Sequence, residues 1–304
     1  MPMDAACLAA VVQECRPAVE EARIDKIFQP ARDEIVLLLR GGQRNEKLLL
    51  TANPSHPRIE LTRVNRENPA NPPMFCMLLR KHIANGRIVE ISQPHMERII
   101  NFKIEHLDEM GDLCQKTLIV ELMGKRSNII FCDANGRIID SIKHVSAAMS
   151  SLREVLPGRT YCIPATQDDR LNPLEVTEET FLGSAMKNPL PIAKALYTSF
   201  TGVSPLVANE ICHRASIDGD MSVDSLTPDA KKHLYHNFAW LMEDVKEHRY
   251  EPNIITRGRE PVEFSCFRLT EYVGSDDAAE ATNSTGAAAN GSEYTMQHFS
   301  SISA

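Results

Sequence analysis

The chain lacks every short motif that announces a catalytic centre. It has no G-x-x-x-x-G-K-[ST] phosphate loop, no G-x-G-x-x-G, no H-E-x-x-H and no G-x-S-x-G, the signatures of nucleotide, zinc-peptidase and serine-hydrolase chemistry. Its eight cysteines (Cys7, Cys15, Cys76, Cys114, Cys132, Cys162, Cys212, Cys266) are scattered with no C-x-x-C pair. Neither a structural zinc site nor a disulfide framework is therefore expected. Most lie in apolar surroundings, as in Met74-Phe75-Cys76-Met77-Leu78, which fits buried, reduced thiols of a cytoplasmic protein. There is no run of eighteen apolar residues, and no basic stretch leads into an apolar one at the start. Neither a membrane span nor a secretory leader is expected. No catalytic residue, cofactor or metal ligand is assigned.

What remains is ordinary globular material. The 304 residues are 43% hydrophobic and 24% charged, enough for two domains with buried cores. A net charge of −8 argues against a nucleic-acid partner, but the balance is uneven. Residues 1–126 carry 18 basic against 17 acidic side chains, and the remainder 15 against 24. Total charge therefore says little about any one face.

The periodicity predicts an amphipathic helix over 3–18 with Asp4 as N-cap or first-turn acid. Short strand-like runs follow at 23–29, 34–40, 47–51 and 58–61, broken by Pro30, Gly41-Gly42 and Asn53-Pro54. Their spacing of about ten residues favours an antiparallel meander. The stretch Asn68 to Pro73 is an extended approach to a helix over 74–84. Arg80, Lys81 and His82 crowd that helix's C-terminal end, where they compensate the helix dipole or meet phosphate.

A strand over 87–93 is interrupted by Pro94, and Glu97-Arg98 opens the next run, 98–106. Neighbours on a strand point to opposite faces. The pair is then either two solvated strand-entry charges, or a bend from which both tips reach one ligand. Strands at 117–123 and 128–132 and a hairpin through Asp133–Gly136 into 137–141 complete the sheet. Between them, Glu121-Leu122-Met123-Gly124-Lys125-Arg126 is a glycine-containing basic turn. It is a plain hairpin loop, or one in which Gly124 takes positive φ and Lys125 and Arg126 meet phosphate. Residues 143–156 read as a loop or short helix, and 164–173 as a linker.

From Thr177 the pattern is helical, with a helix over 191–199. Phe200 to Ile211 has the form of a helix-hairpin-helix, with a Gly202 turn, a Ser204 cap and Pro205 at the first helical position. Such hairpins either pack helices or offer backbone N–H groups to phosphate. Helices around 223–226 and 229–246 follow, then strand-like runs at 253–256 and 262–269 that pair back onto the first domain. Residues 274–292 are acidic and alanine-rich, composed for disorder. Residues 293–304 start a further patterned element. The division is then 1–170, an α+β domain; 175–250, an all-α domain; and 251–273, returning strands.

These segments together resemble the N-terminal part of the NFACT family: Asp4; Arg23 to Pro30; Pro72 to Ile83; Glu97-Arg98-Ile99-Ile100; Glu121 to Ile130; and Gly202 to Ala208. The resemblance implies an antiparallel β-rich first domain shaped like the N-terminal domain of formamidopyrimidine-DNA glycosylases, then a helix-hairpin-helix domain. It makes residues 293–304 the beginning of a truncated coiled coil. It implies a ribosome-associated quality control factor that binds the large ribosomal subunit and its peptidyl-tRNA-linked nascent chain. Such a factor recruits tRNA, alanyl-tRNA in bacteria, for tailing without mRNA. The ribosome makes the peptide bond, so the chain itself is not expected to be an enzyme.

The family's tRNA-binding signature falls on Asp4, Glu97 and Arg98, with Glu97 where Asp is more frequent. Arg80, Lys81, His82, Glu121, Met123, Lys125 and Arg126 are further candidate RNA contacts. Two other readings stay open. One is a DNA glycosylase-like protein using Pro2 as a secondary-amine nucleophile, though Met3-Asp4 follows it and no cysteine zinc finger is present. The other is a fibronectin-binding surface adhesin, which the absence of a leader and of a disulfide framework disfavours. A scaffold without tRNA contacts is the plainest alternative.

Overall fold

The computed structural model describes residues 3–41, 44–108, 110–164, 170–273 and 294–303. Its first element, helix α1 (Ala5–Val19), carries two apolar stripes of different bulk. Leu8, Val11, Val12, Cys15 and Val19 pack on a β-sheet. The smaller Ala5, Ala6, Cys7 and Ala10 pack on a helical domain. Short side chains let a neighbouring backbone approach closely, and branched ones fill the wider gap above a sheet. One helix thus joins two cores.

The sheet contains β1 (Arg23–Phe28), β2 (Glu34–Gly41), β3 (Arg44–Thr51), β4 (Arg58–Leu61), β5 (Arg87–Ser92), β6 (Ile99–Leu107), β7 (Leu113–Glu121), β8 (Asn128–Cys132) and β9 (Ile138–Ser141). Their order is β4-β3-β2-β1-β5-β6-β7-β8-β9, antiparallel throughout. Helix α2 (Met74–Ile83) adds Phe75, Cys76, Leu79 and Ile83 to the α1 core. The opposite face of β6 to β9 is covered by the 143–161 segment, whose Val155 packs on Ile99, Ile119, Ile130 and Ile138. That segment is a loop, pinned by a Val145–Val155 bridge. The α+β class and the antiparallel meander are as the spacing predicted.

Four helices form the second domain: α3 (Glu178–Ser184), α4 (Ile192–Ser199), α5 (Pro205–Arg214) and α6 (Pro228–Lys246). They close on Phe181, Phe200 and Phe238, whose ring centroids lie 4.7–5.6 Å apart. The helix expected around 223–226 is instead a single 3-10 turn, Val223–Ser225. Val223 N donates to Leu190 O and Ser222 bridges Pro191, so the backbone is spent on the chain before α4.

Two expectations for the C-terminal part are corrected. Strands β10 (Asn253–Arg257) and β11 (Glu260–Ser265), followed by the one-turn α7 (Thr270–Val273), do not pair back onto the first sheet. With β12 (Tyr294–His298) they form a separate antiparallel sheet, β11-β10-β12. They reach the first helix through side chains instead, Cys266 and Phe267 joining its alanine face. Residues 294–298 are therefore strand, not the start of a coiled coil. Tyr294 and Met296 turn inward and Thr295 and Gln297 outward, a period of two where a helix needs 3.6. Pro2 and the segment composed for disorder lie outside the described residues.

The α4–α5 turn makes a tight contact between the two domains. Gly202 has φ +74°, and a Cβ there would lie 2.3 Å from Met96 O and 2.7 Å from Ala5 Cβ. Neither neighbour is a flexible side-chain end. Gly202→Ala is expected to cost about 2–4 kcal/mol, from left-handed strain plus overpacking. Urea unfolding should register it as a lower midpoint, and an unchanged midpoint would mean that the domains separate at this contact without loss.

Candidate nucleic-acid interface

Asp4 sits one residue before α1 in extended conformation, and its Oδ1 accepts from Cys7 N at 2.8 Å. Its Oδ2 accepts from the Ser204 hydroxyl at 3.0 Å, two hundred residues away. Ser204 Oγ in turn accepts from Val207 N at 3.2 Å, capping α5. A single carboxylate therefore ties the starts of two helices together, and both N-termini face the same space.

Glu97 and Arg98 reach that space on a bend. After β5, Gln93 Nε2 donates to Ala5 O and to Glu97 O, both at 2.9 Å. The 3-10 turn Pro94–Met96 follows, with His95 at φ +49° and Met96 at φ +58°. Two successive non-glycine residues in the left-handed region cost on the order of 1–3 kcal/mol each and persist where the surroundings over-determine them. Here the Gln93 amide, the burial of Met96 and the close approach of Gly202 do so. Leu122 N then bonds Arg98 O at 2.8 Å, fixing the backbone where β6 begins.

The result is a cleft of about 310 Å³ between the domains. The first domain contributes Met3, Asp4, Glu97, Arg98 and Met123; the second contributes Tyr197 and the turn from Thr201 to Pro205, with Arg170 from the connection between them. Burial pushes the Glu97 carboxyl above its ordinary range, opposed by the charges of Arg170, then Arg98 and His95. Among the described residues, neither the Glu97 carboxylate nor the Arg98 guanidinium makes a hydrogen bond or ion pair. The cleft thus presents a planar cationic fork, an acid that accepts hydrogen bonds, thioether and aromatic surface, and a second arginine. That set suits a ligand bearing phosphate together with base or ribose donors.

The further candidates divide. Met123 lines the cleft, and Lys125 and Arg126 are exposed on the adjoining 3-10 turn Gly124–Arg126, where Gly124 has φ +57°. Glu121 is withdrawn from the surface altogether: it is fully buried, ion-paired with Arg153, and its Oε1 accepts from Tyr161 OH at 2.9 Å. It cannot meet RNA, because an acid at the inner end of a strand is taken up by the loop that covers the sheet. Arg80, Lys81 and His82 lie at the other end of the sheet, beside the start of β1 and β5. Arg80 Nε donates to Ile27 O at 2.8 Å with its guanidinium over Phe28, and His82 meets Lys116 at 3.1 Å. Those contacts serve the fold, and the cleft does not include them.

Gln93, Arg170 and Tyr197 belong to the site, and the last two carry no sequence signal for it. Arg170 reads as one more charge in a polar linker. A glutamine before a proline, as at Gln93-Pro94, is the one local hint of a pinned bend. Among the described residues no cluster of three or more His, Cys, Asp or Glu is arranged to hold a metal ion.

The Rqc2 homolog RqcH of Bacillus subtilis is 40% identical over 276 residues, 90% of this chain and 46% of that protein. The chain thus spans about half the length of that relative. Among solved structures, the N-terminal part of the fibronectin/fibrinogen-binding protein of Streptococcus suis superimposes with TM-score 0.73 at 31% identity, covering 99% of this chain and 96% of the other. The fibrinogen binding protein of Staphylococcus aureus gives TM-score 0.75 at 27% identity with the same coverage. Residues 4–290 match the family described as NFACT N-terminal and middle domains, and with a relative of this identity across nine-tenths of its length, the chain belongs to that family.

Proposed function

We propose that this chain is the tRNA-gripping part of a ribosome-associated quality control factor acting in the cytoplasm. The observation that carries the reading is the convergence of Asp4, Glu97 and Arg98 on one open cleft, with Arg98 unpaired by any described residue. Arg98 meets a phosphate or a base edge with its two-pronged donor. Glu97 accepts from an amino group or a ribose hydroxyl. Asp4 keeps lone pairs for a ligand beyond its two structural bonds. An acid beside a polyanion is unfavourable unless it accepts specific donors, so the acids support recognition over bulk attraction.

In this reading the large ribosomal subunit with its peptidyl-tRNA is the platform, and alanyl-tRNA is the bacterial substrate. The chemistry of tailing belongs to the ribosome, so the chain supplies binding and position, not a nucleophile. The names of the solved relatives support a second reading, fibronectin binding. Fibronectin pull-down beside ribosome co-sedimentation separates the two.

RNA co-purifying with the full-length protein is the direct test. Arg98→Ala is expected to lose tRNA by roughly ten- to a hundredfold, the value of a charge-assisted hydrogen bond pair of about 1.5–3 kcal/mol, while ribosome co-sedimentation persists. Arg98→Lys should not restore it, because a point charge cannot replace the fork. Undiminished tRNA with Arg98→Ala sinks the assignment.

Glu97 gives a second expectation. Burial holds its folded value above the unfolded one, so its contribution to stability is complete below the unfolded value and is lost as pH rises through the folded one. Near neutral pH the carboxylate destabilises the fold. Glu97→Gln should raise the thermal midpoint there, with the gain shrinking toward about pH 4, while tRNA retention falls. A variant that loses both stability and tRNA would make Glu97 a structural residue.

A further inference from the structure

The end of the sheet away from the cleft carries a projecting hairpin. Strands β6 and β7 outrun their neighbours: β5 stops pairing at Arg87–Glu105 and β8 at Thr117–Cys132. Beyond these points His106–Cys114 and Leu107–Leu113 pair only with each other, so the hairpin projects from the sheet. Its tip exposes three large apolar side chains, Leu107 (67%), Met110 (87%) and Leu113 (67%). Among the described residues nothing covers them.

The tip is stiff. Asp108 Oδ1 accepts from Met110 N and Asp112 N, each at 2.9 Å, and Asp108 N donates to Asp112 O at 2.9 Å. These backbone bonds hold the Asp108 carboxyl below its usual range. A turn fastened this way presents its apolar side chains with little ordering left to lose on binding. The described turn also carries two acids, Asp108 and Asp112. Of the strand cations, Lys103 pairs with Glu90, while Lys116 meets His82 and also feels the Asp108 charge.

An acidic, apolar, preorganised tip is repelled by phosphate and fits an apolar pocket rimmed by basic side chains. The nine-residue strands place it roughly 25–30 Å from the cleft, at about 3.3 Å per residue, so both ends can be occupied together. We propose that the β6–β7 hairpin is a protein-docking finger whose Leu107, Met110 and Leu113 enter an apolar pocket with a basic rim on a protein of the large ribosomal subunit. The choice of subunit rests on the function proposed above; the choice of protein over RNA rests on the tip's own charge.

The test uses full-length protein and purified large ribosomal subunits. Replacing Leu107, Met110 and Leu113 together with Ser is expected to weaken co-sedimentation roughly tenfold or more, with the thermal midpoint and tRNA co-purification unchanged. Asp112→Lys should weaken it independently, by opposing the basic rim. A photoreactive benzophenone side chain placed at position 110 should crosslink to a ribosomal protein. Crosslinking to rRNA, to another part of the same chain or to a second copy would overturn the proposal, as would co-sedimentation unaffected by the triple replacement. Wild-type protein that fails to sediment with subunits at all overturns the ribosomal reading as well; the other failures overturn the finger alone.

Discussion

The structure depends on one carboxylate with two obligations. Asp4 caps α1 through Cys7 N and receives the hydroxyl of Ser204, the cap of α5. A capping bond is worth about 1 kcal/mol as helix stability, but here it also sets geometry. Because the two helix caps are bonded to each other, the two domains cannot rotate about their contact without breaking the Asp4–Ser204 hydrogen bond. The cleft inherits its width from that bond and from Gly202, whose missing side chain lets the hairpin turn rest against Met96 O.

Around this fixed point the chain accumulates unfavourable features that a purely structural region would shed. His95 and Met96 stand in left-handed conformations, Glu97 is held above its ordinary range by burial, and Arg98 is left without a described partner. Each opposes stability, and each lies within a few residues of the others. Strain, a desolvated acid and an unpaired cation gathered on one bend mark a place shaped for a ligand. Glu121 and Arg153 make the contrast: a more deeply buried acid is there bonded by Arg153 and Tyr161, and it serves the fold.

Much of the architecture was legible from local pattern. The strands of the first sheet, α1, α2 and the α4–α5 hairpin follow from period, caps and breakers, and the bend at Glu97-Arg98 follows from Pro94. What the pattern hid is non-local. Nothing in Gln167 to Arg170 tells that Arg170 turns into the cleft, since its role is set by the path of a connection. Glu121 read as part of a basic turn because the sequence does not show the covering loop that brings Arg153 and Tyr161 to it. For Tyr294 to His298 the family resemblance implies a coiled-coil start, although the alternation of Tyr294 and Met296 with polar neighbours is a strand's own signature. In each case a long-range partner decided the outcome.

A polyanionic ligand, as proposed, sits uneasily with an acidic chain at the level of net charge, and the charge distribution answers the objection. The excess of acids lies beyond residue 126, and within the first domain the acids are taken up one by one. Glu34 is bonded twice by Arg66, at 3.1 and 2.9 Å, Glu105 meets Arg87, and Glu90 meets Lys103. In the cleft itself Asp4 already accepts two bonds, while Arg98 faces one partly buried acid, Glu97. Pairing the acids internally leaves the Arg98 fork to act at short range, where screening over a Debye length of about 8 Å weakens the distant C-terminal acids, Glu263 beside Asp4 excepted. The local sign of the cleft, and not the sum over the chain, is what a phosphate would meet.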